Sequence, residues 1–385
     1  MTRHQHSPRI RSTAAGPPPE TSGSARYWVI GIAIAAAIAI VATVQTSPHL
    51  CNDSSRLAFA DALVNHGTLA IDGTYFESTC DRLQRDGHFF SDKPPVLSLM
   101  LAGLLATLQT TFGWRIPGDL SALYPAITLL SCGVAWFAAF FGVLRFAQET
   151  GVDRRTAALI AAAGLSTTLF FVFTTTLNNH TIGGALLVWC LVAAARLLRL
   201  PDRPAWEMAR LGGLSGLAVV IDPLSVSVAA PLVAVVAWTY RRRLGALTSL
   251  ATGIVPVAIH VSLNLAVGGH PILTNIDPEA FAFAGSMHDS ESMTGTGWKH
   301  DSLAAFAGYA FHSLFGHRGL FVYSPLAAAG IAGLVVAWRA RPETERHPLA
   351  AALLVGLGLF VLLTVGRLPP WIVVVLTAAA GWLLA

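Results

Sequence analysis

The sequence predicts an all-α, polytopic membrane protein of about ten membrane helices, with interfacial helices in its first outer loop. Three observations predict this. The 385 residues are 54% hydrophobic and 12% charged, and that charge is about half of the roughly 25% usual in soluble domains. Apolar runs of about 20 residues recur from Tyr27 to Ala385, each close to the length that crosses a bilayer. Arginine is unevenly shared among the segments joining them, as it is across real membranes.

Residues 1–26 are polar, Pro-rich and carry Arg3, Arg9, Arg11 and Arg26. They read as a disordered cytoplasmic tail. Trp28 to Val44 reads as an uncleaved helix, because the tail before it is long for a signal peptide and no small-x-small cleavage site follows. The stretch 47–119 then reads as a large outer loop. Within it, 53–66 has amphipathic spacing: Leu57, Ala60, Leu63 and Val64 share a face, and Arg56 and Asp61 can face water. Asn52 or Asp53 is placed to cap that helix. The run 94–114 is uncharged and long enough to span, and Pro94-Pro95 suits a first helical turn.

Further runs follow at 120–144, 156–174, 182–198, 211–221, 223–239 and 245–267. The run 211–221 is short for a crossing, so its helix is expected to begin within Trp206 to Arg210. A second outer loop, 268–318, precedes runs at 319–338, 348–366 and 369–385. No internal repeat is evident, and 27–385 reads as one membrane domain.

Arginine placement chooses the topology. If 94–114 lies at the interface and the runs flanking Asp222-Pro223 cross separately, 17 of the 25 Lys and Arg fall inside and 8 outside. If 94–114 crosses and 211–239 is one span, 11 fall inside and 14 outside. The positive-inside rule favours the first arrangement, with a cytoplasmic N-terminus. The net charge of +4 then reports orientation and not a nucleic-acid partner. Fourteen of the 21 acidic residues fall outside, which points to chemistry on the outer face.

Cys132 and Cys190 sit in apolar runs and read as small hydrophobes. Cys51 and Cys80 bracket the polar loop; in an oxidising compartment they are a candidate disulfide, and two unpaired thiols are the alternative. There is no HExxH zinc motif, Walker loop or dinucleotide fingerprint. A divalent cation held on carboxylates stays open, and the metal is otherwise unknown.

The chain has only two lysines, Lys93 and Lys299. Lys93 stands beside Asp92 just before the Pro94-Pro95 helix. There it either anchors an interfacial helix or meets an anionic lipid head group as a point charge. Asp53 either caps its helix or serves as a general base toward a hydroxyl, with Arg56 one turn away to orient it.

Asp53-x-x-Arg56-x-Ala58, followed by Phe90-x-Asp92-Lys93-Pro94-Pro95, resembles the first outer loop of the GT-C glycosyltransferases. The closest likeness is to the group of bacterial aminoarabinose transferases and protein O-mannosyltransferases, and it covers roughly residues 27–330. The resemblance implies that Asp53 is the acidic base and that Lys93 binds the lipid phosphate. It also implies a Lys-Pro-Pro helix lying on the membrane surface. The family's Glu after the Asp is Ser54 here, which leaves that position without its usual acid or metal-ligand function.

The second outer loop ends in Phe315-Gly316-His317-Arg318-Gly319, and by the same resemblance His317 and Arg318 contact donor phosphate or acceptor. His180, in a short outer turn, and Asp222, between two apolar runs, are further substrate-binding candidates, since ionisable groups at such depths are costly. The implied activity is an inverting transfer of a sugar from a polyprenyl-phosphate lipid to an acceptor at the outer face of the cell membrane. The rival class is a secondary transporter or lipid flippase, which calls for midplane charges and related repeats.

Overall fold

The structure is a computed structural model, and it describes residues 22–199, 204–268, 278–287, 302–317, 319–339, 353 and 355–358. Among these, five helices are long and apolar enough to cross a membrane: Ala25–Thr43, Pro95–Phe112, Leu120–Glu149, His180–Arg199 and Thr248–Val267. A sixth is added if the bent pair Leu303–Tyr323 and Pro325–Val336 counts as one span. The expected runs 348–366 and 369–385 lie almost wholly outside the described residues.

Helix α1 (Ser22–Thr43) leads to α2 (Cys51–Asp61), which a π turn extends to His66. A hairpin of β1 (Arg82–Arg85) and β2 (His88–Ser91) follows, with Arg82 opposite Ser91. Its turn is Asp86-Gly87, both at positive φ (50° and 82°), the backbone that a two-residue hairpin with right-handed strand twist requires. Helix α3 (Pro95–Phe112) has Pro at its first position, as expected, and ends on Gly113 in the left-handed region.

Helix α4 (Leu120–Thr128), a π stretch and α5 (Val134–Glu149) make one continuous rod. The expected span 156–174 is broken. Helix α6 (Arg154–Ser166) stops at Thr167, and α7 (Leu169–Thr174) restarts with the Thr168 hydroxyl accepting from the Phe170 amide. Next come α8 (His180–Arg199) and α9 (Pro204–Ile221); α9 starts well before residue 211, as its shortness suggested. A 3-10 turn at Pro223–Ser225 separates it from α10 (Val226–Thr239). After α11 (Leu244–Leu247) and a 3-10 stretch, α12 runs from Ile254 to Gly268.

Two ends of the bundle differ sharply. One is basic: Arg145 and Arg196 bind Glu149 at 2.8 and 3.1 Å, and Arg196 and Arg210 bind Glu207 at 3.0 and 3.4 Å. Arg155 lies over Trp28 at the same end. The opposite end gathers the first loop, the start of α4, the start of α8 and the end of α9. There Leu57, Ala60, Leu97, Leu101, Tyr124 and Ile221 form one buried core. Between the ends, close helix packing is made by small residues. A Cβ on Gly212 or Gly216 of α9 would collide with the backbone of Leu250 or Gly253, the kind of approach that holds helices together where lipid removes the hydrophobic drive.

Candidate functional site

Helix α2 does not lie as its periodicity suggested. Its apolar face packs on α3. Its polar face does not meet water: Asp53 and Arg56 are each 1% exposed and Asp61 5%. The segment after α7 and the first turns of α4 cover it. Asp53 is not a cap either. Leu50 holds the N-cap position without a side-chain bond, and Asp53 is the third residue of the helix.

Asp53 accepts a hydrogen bond from the Tyr124 hydroxyl on Oδ2 at 2.7 Å, and the Leu177 amide donates to that same hydroxyl at 3.3 Å. Its Oδ1 is buried with no hydrogen-bond partner among the described residues. Burial raises the Asp53 pKa above the ordinary 3.8, against the lowering pull of Tyr124 and Arg56. Such an oxygen is a base in waiting: desolvated, oriented and free to take a proton.

Arg56 donates through Nη2 to Asn179 Oδ1 at 3.0 Å, while Nε and Nη1 are buried and unpartnered among the described residues. It does not reach Asp53 directly, so the carboxylate is oriented by Tyr124 and not by Arg56. Burial lowers the Arg56 pKa to about 10, opposed by the charges of Asp92, Asp222 and Asp53. The guanidinium therefore stays charged at neutral pH with two donors unused, an arrangement that is costly unless a ligand completes it.

Lys93 is held in two ion pairs. Its Nζ lies 2.8 Å from Asp81 and 3.2 Å from Asp92, and its side chain is 18% exposed. Two local features set this up. Ser55 of α2 bonds Ser91 of β2 at 2.7 Å, drawing the strand end against the helix. The disulfide Cys51–Cys80 (Cα–Cα 5.4 Å) ties the first residue of α2 to the neighbour of Asp81, and Thr79 adds a bond to the Cys51 carbonyl at 3.0 Å. Asp92 Oδ1 is buried without a partner among the described residues, and burial raises its pKa, against the pull of Lys93.

His180 and Asp222 meet: Nδ1 and Oδ2 are 2.9 Å apart. Asp222 precedes a 3-10 turn without capping it. Of the second-loop pair, His317 is exposed in the turn after Leu303–Phe315, and among the described residues no hydrogen bond or ion pair ties it to Asp53, Arg56 or Lys93. Arg318 lies outside the described residues. No group of three His, Cys, Asp or Glu is placed to hold a metal ion among the described residues.

Sequence reasoning missed Tyr124, Asp81 and Asn179. Tyr124 gave one signal, a hydroxyl-bearing ring at the start of an apolar run, where such rings put their polar tip at the interface. Asp81 was findable from the disulfide, since pairing Cys80 with Cys51 carries its neighbour to the base of α2.

The chain matches no protein-family model, no curated protein and no solved structure. Beside the site, an apolar cavity of about 550 Å³ lies between α3, α5 and α8, lined by Leu97, Leu101, Leu104, Val134, Leu186 and Trp189 among others.

Proposed function

We propose that this chain is a membrane glycosyltransferase of the GT-C type, moving a sugar from a polyprenyl-phosphate donor to an acceptor on the outer face. The observation that carries the reading is the set of unfilled polar groups at one end of the bundle. Asp53 Oδ1, Asp92 Oδ1 and Arg56 Nε and Nη1 are all buried without partners among the described residues. A hydroxyl-rich ligand offers both the donors and the acceptors they lack. The cavity beside α3 suits an isoprenoid chain, and in this reading Lys93 and Arg56, the two cations at the Asp53 end, meet its phosphate head group.

In this reading Asp53 Oδ1 takes the acceptor's hydroxyl proton as its oxygen attacks the sugar carbon. The bond to phosphate breaks on the opposite side, so configuration inverts. Arg56 and Lys93 offset the charge growing on the leaving phosphate in water-poor surroundings.

The reading also sets the topology: N-terminus inside, the basic end cytoplasmic, and α3 on the outer surface. Tyr124, four residues into the α4–α5 rod, bonds Asp53, and α3 lies along α2 between them in sequence. Both ends of α3 then belong to one side. The transporter reading draws on the α9–α10 break at Asp222-Pro223, but that break lies at the bundle's end, level with Asp53, and not at a midplane.

The test is lipid mass spectrometry of cells with and without the gene. A polyprenyl-phosphate sugar should accumulate when the gene is removed. An unchanged lipid profile would refute the proposal.

A further inference from the structure

The charges at the site do not suit an anionic donor as they stand. Four carboxylates, Asp53, Asp81, Asp92 and Asp222, share this end with two fixed cations, Arg56 and Lys93. Fully ionised, the set is two charges negative. Lys93 is already shared by Asp81 and Asp92, and Arg56 lies within the field of Asp92, Asp222 and Asp53 without an ion pair to any of them among the described residues. A phosphate entering this site needs another positive charge.

His180 is built to supply it. Its Nδ1 is fixed on Asp222 at 2.9 Å, while the ring is 46% exposed and Nε2 makes no hydrogen bond among the described residues. The neighbouring residue, Asn179, holds Arg56, so imidazole and guanidinium are set side by side on one short segment. The pair is also sterically provided for: a Cβ on Gly183 would lie 2.8 Å from the Asp222 Cβ, so glycine there lets Asp222 reach α8.

We propose that His180 is a phosphate-binding imidazolium. Asp222 accepts its Nδ1–H, and Nε2–H is donated to a non-bridging oxygen of the donor's phosphodiester. Donor binding then takes up one proton from solvent, which is given back when the lipid phosphate leaves. This inference rests on the glycosyltransferase reading.

Among the described residues, the groups facing His180 are few. Asp222 approaches from the end of α9, and the Phe173 ring from α7 lies at 5.4 Å. Arg56 lies beyond Asn179 on the α2 side, with Asp53 and Asp92 beyond it. His49 neighbours Asp53 and not this pair, so His49→Gln is the control. An imidazole changes charge between about pH 5 and 8. Only the imidazolium can donate from Nε2 while Nδ1–H stays on Asp222, so donor binding weakens as pH rises.

The experiment uses the full chain, purified in detergent and added to detergent extracts of membranes from cells lacking the gene. Those extracts hold the accumulated polyprenyl-phosphate sugar and the acceptor. Its consumption is followed by mass spectrometry from pH 5.5 to 9. Wild type and His49→Gln should lose turnover along an alkaline limb. His180→Gln should be slow throughout, with that limb gone. His180→Arg, which stays charged, should be faster than His180→Gln at pH 9. Asp222→Asn, which no longer holds the imidazolium through a charged acceptor, should slow turnover toward the His180→Gln rate, and it carries the test if His180→Gln does not fold.

A wild-type limb retained in His180→Gln would overturn the inference, as would wild-type turnover in Asp222→Asn. If wild type consumes the lipid but either of those results is found, only the His180 assignment falls. If no such lipid accumulates, the glycosyltransferase reading falls first.

Discussion

Replacing Asp53 by Asn separates catalysis from folding in a way the structure makes unusually clear. The amide keeps the size of the carboxylate, and its oxygen can still accept the 2.7 Å bond from Tyr124. No helix cap is lost, because Leu50 and not Asp53 occupies the cap position. What disappears is the free lone pair of Oδ1 as a proton acceptor. General-base catalysis contributes about 10²–10⁴-fold, or roughly 2.7–5.5 kcal/mol of barrier, and that is the expected fall in sugar transfer.

Stability should move the other way. Burial raises the Asp53 pKa above 3.8, so the folded chain holds this proton more tightly than the unfolded one. Its contribution to stability is therefore present at low pH and is lost as pH rises from about 3.8 through the folded value. Above that window the buried charge is a net cost, and the neutral amide removes it. Thermal unfolding in detergent should show the Asp53→Asn variant melting at or above wild type at pH 7, with transfer followed in the same preparation by lipid mass spectrometry. Near-normal transfer would refute the base assignment. A markedly lower melting temperature would refute the claim that burial, and not a stabilising contact, dominates at this carboxylate.

Tyr124→Phe removes the hydroxyl that steadies the ionised form of Asp53; a bond of that charged kind is worth about 1.5–3 kcal/mol, and the acidic limb of a pH–rate profile should move to higher pH. Lys93→Ala should weaken donor turnover, with Lys93→Arg only partly tolerated, as measured by donor titration. Its stability cost should fall below the roughly 3–5 kcal/mol of a fully buried pair, because Lys93 and Asp81 are 18% and 16% exposed. Reducing the Cys51–Cys80 bridge, whose partners are 29 residues apart, should remove about 3–4 kcal/mol of loop-closure stabilisation and most activity together; full activity in chemically reduced protein would count against its role in setting the site. In a background lacking Cys132 and Cys190, an impermeant maleimide applied from outside should label Gly118→Cys and spare Gly151→Cys, and the opposite pattern would overturn the proposed topology.

Much of the architecture was readable from the chain. Apolar runs located the long helices, and the first-loop helix expected at 53–66 occupies 51–66 with its extension. The disulfide pairing and the Pro94-Pro95 helix start were legible too. The misreadings share a physical cause. Periodicity identifies the polar face of a helix but not what covers it, so Arg56 and Asp61 were assigned to water when they are buried. Asp53 and Asp222 each have the residue type of a cap, and only geometry shows that their oxygens serve Tyr124 and His180 instead. The break at Thr167-Thr168 depends on a hydroxyl bonding its own backbone, which composition does not announce. The hairpin turn at Asp86-Gly87 carried a readable signal that the alternation of its short strands was too brief to support.

Helix α3 shows where length and composition stop deciding. With 18 residues and no charge it qualifies as a span. Yet its first residues follow Lys93, clasped to α2 through Ser55 and Ser91, and seven residues after its end the α4–α5 rod begins, with Tyr124 on Asp53. If α3 crossed the bundle, its far end would have to return the chain to the near side within those seven residues. From Phe112 to Leu120 there are eight Cα steps, which at about 3.3–3.6 Å each reach some 26–29 Å fully extended, short of the roughly 30 Å of a hydrocarbon core, and the turns at Asp119 and Leu120 shorten them further. The share of arginine among the joining segments favours the same arrangement, mostly through charges outside the first loop. The short connection and the arginine distribution both support the proposal that Asp53, Lys93 and the start of α4 share one face, and the proposed site depends on that agreement more than on any single residue.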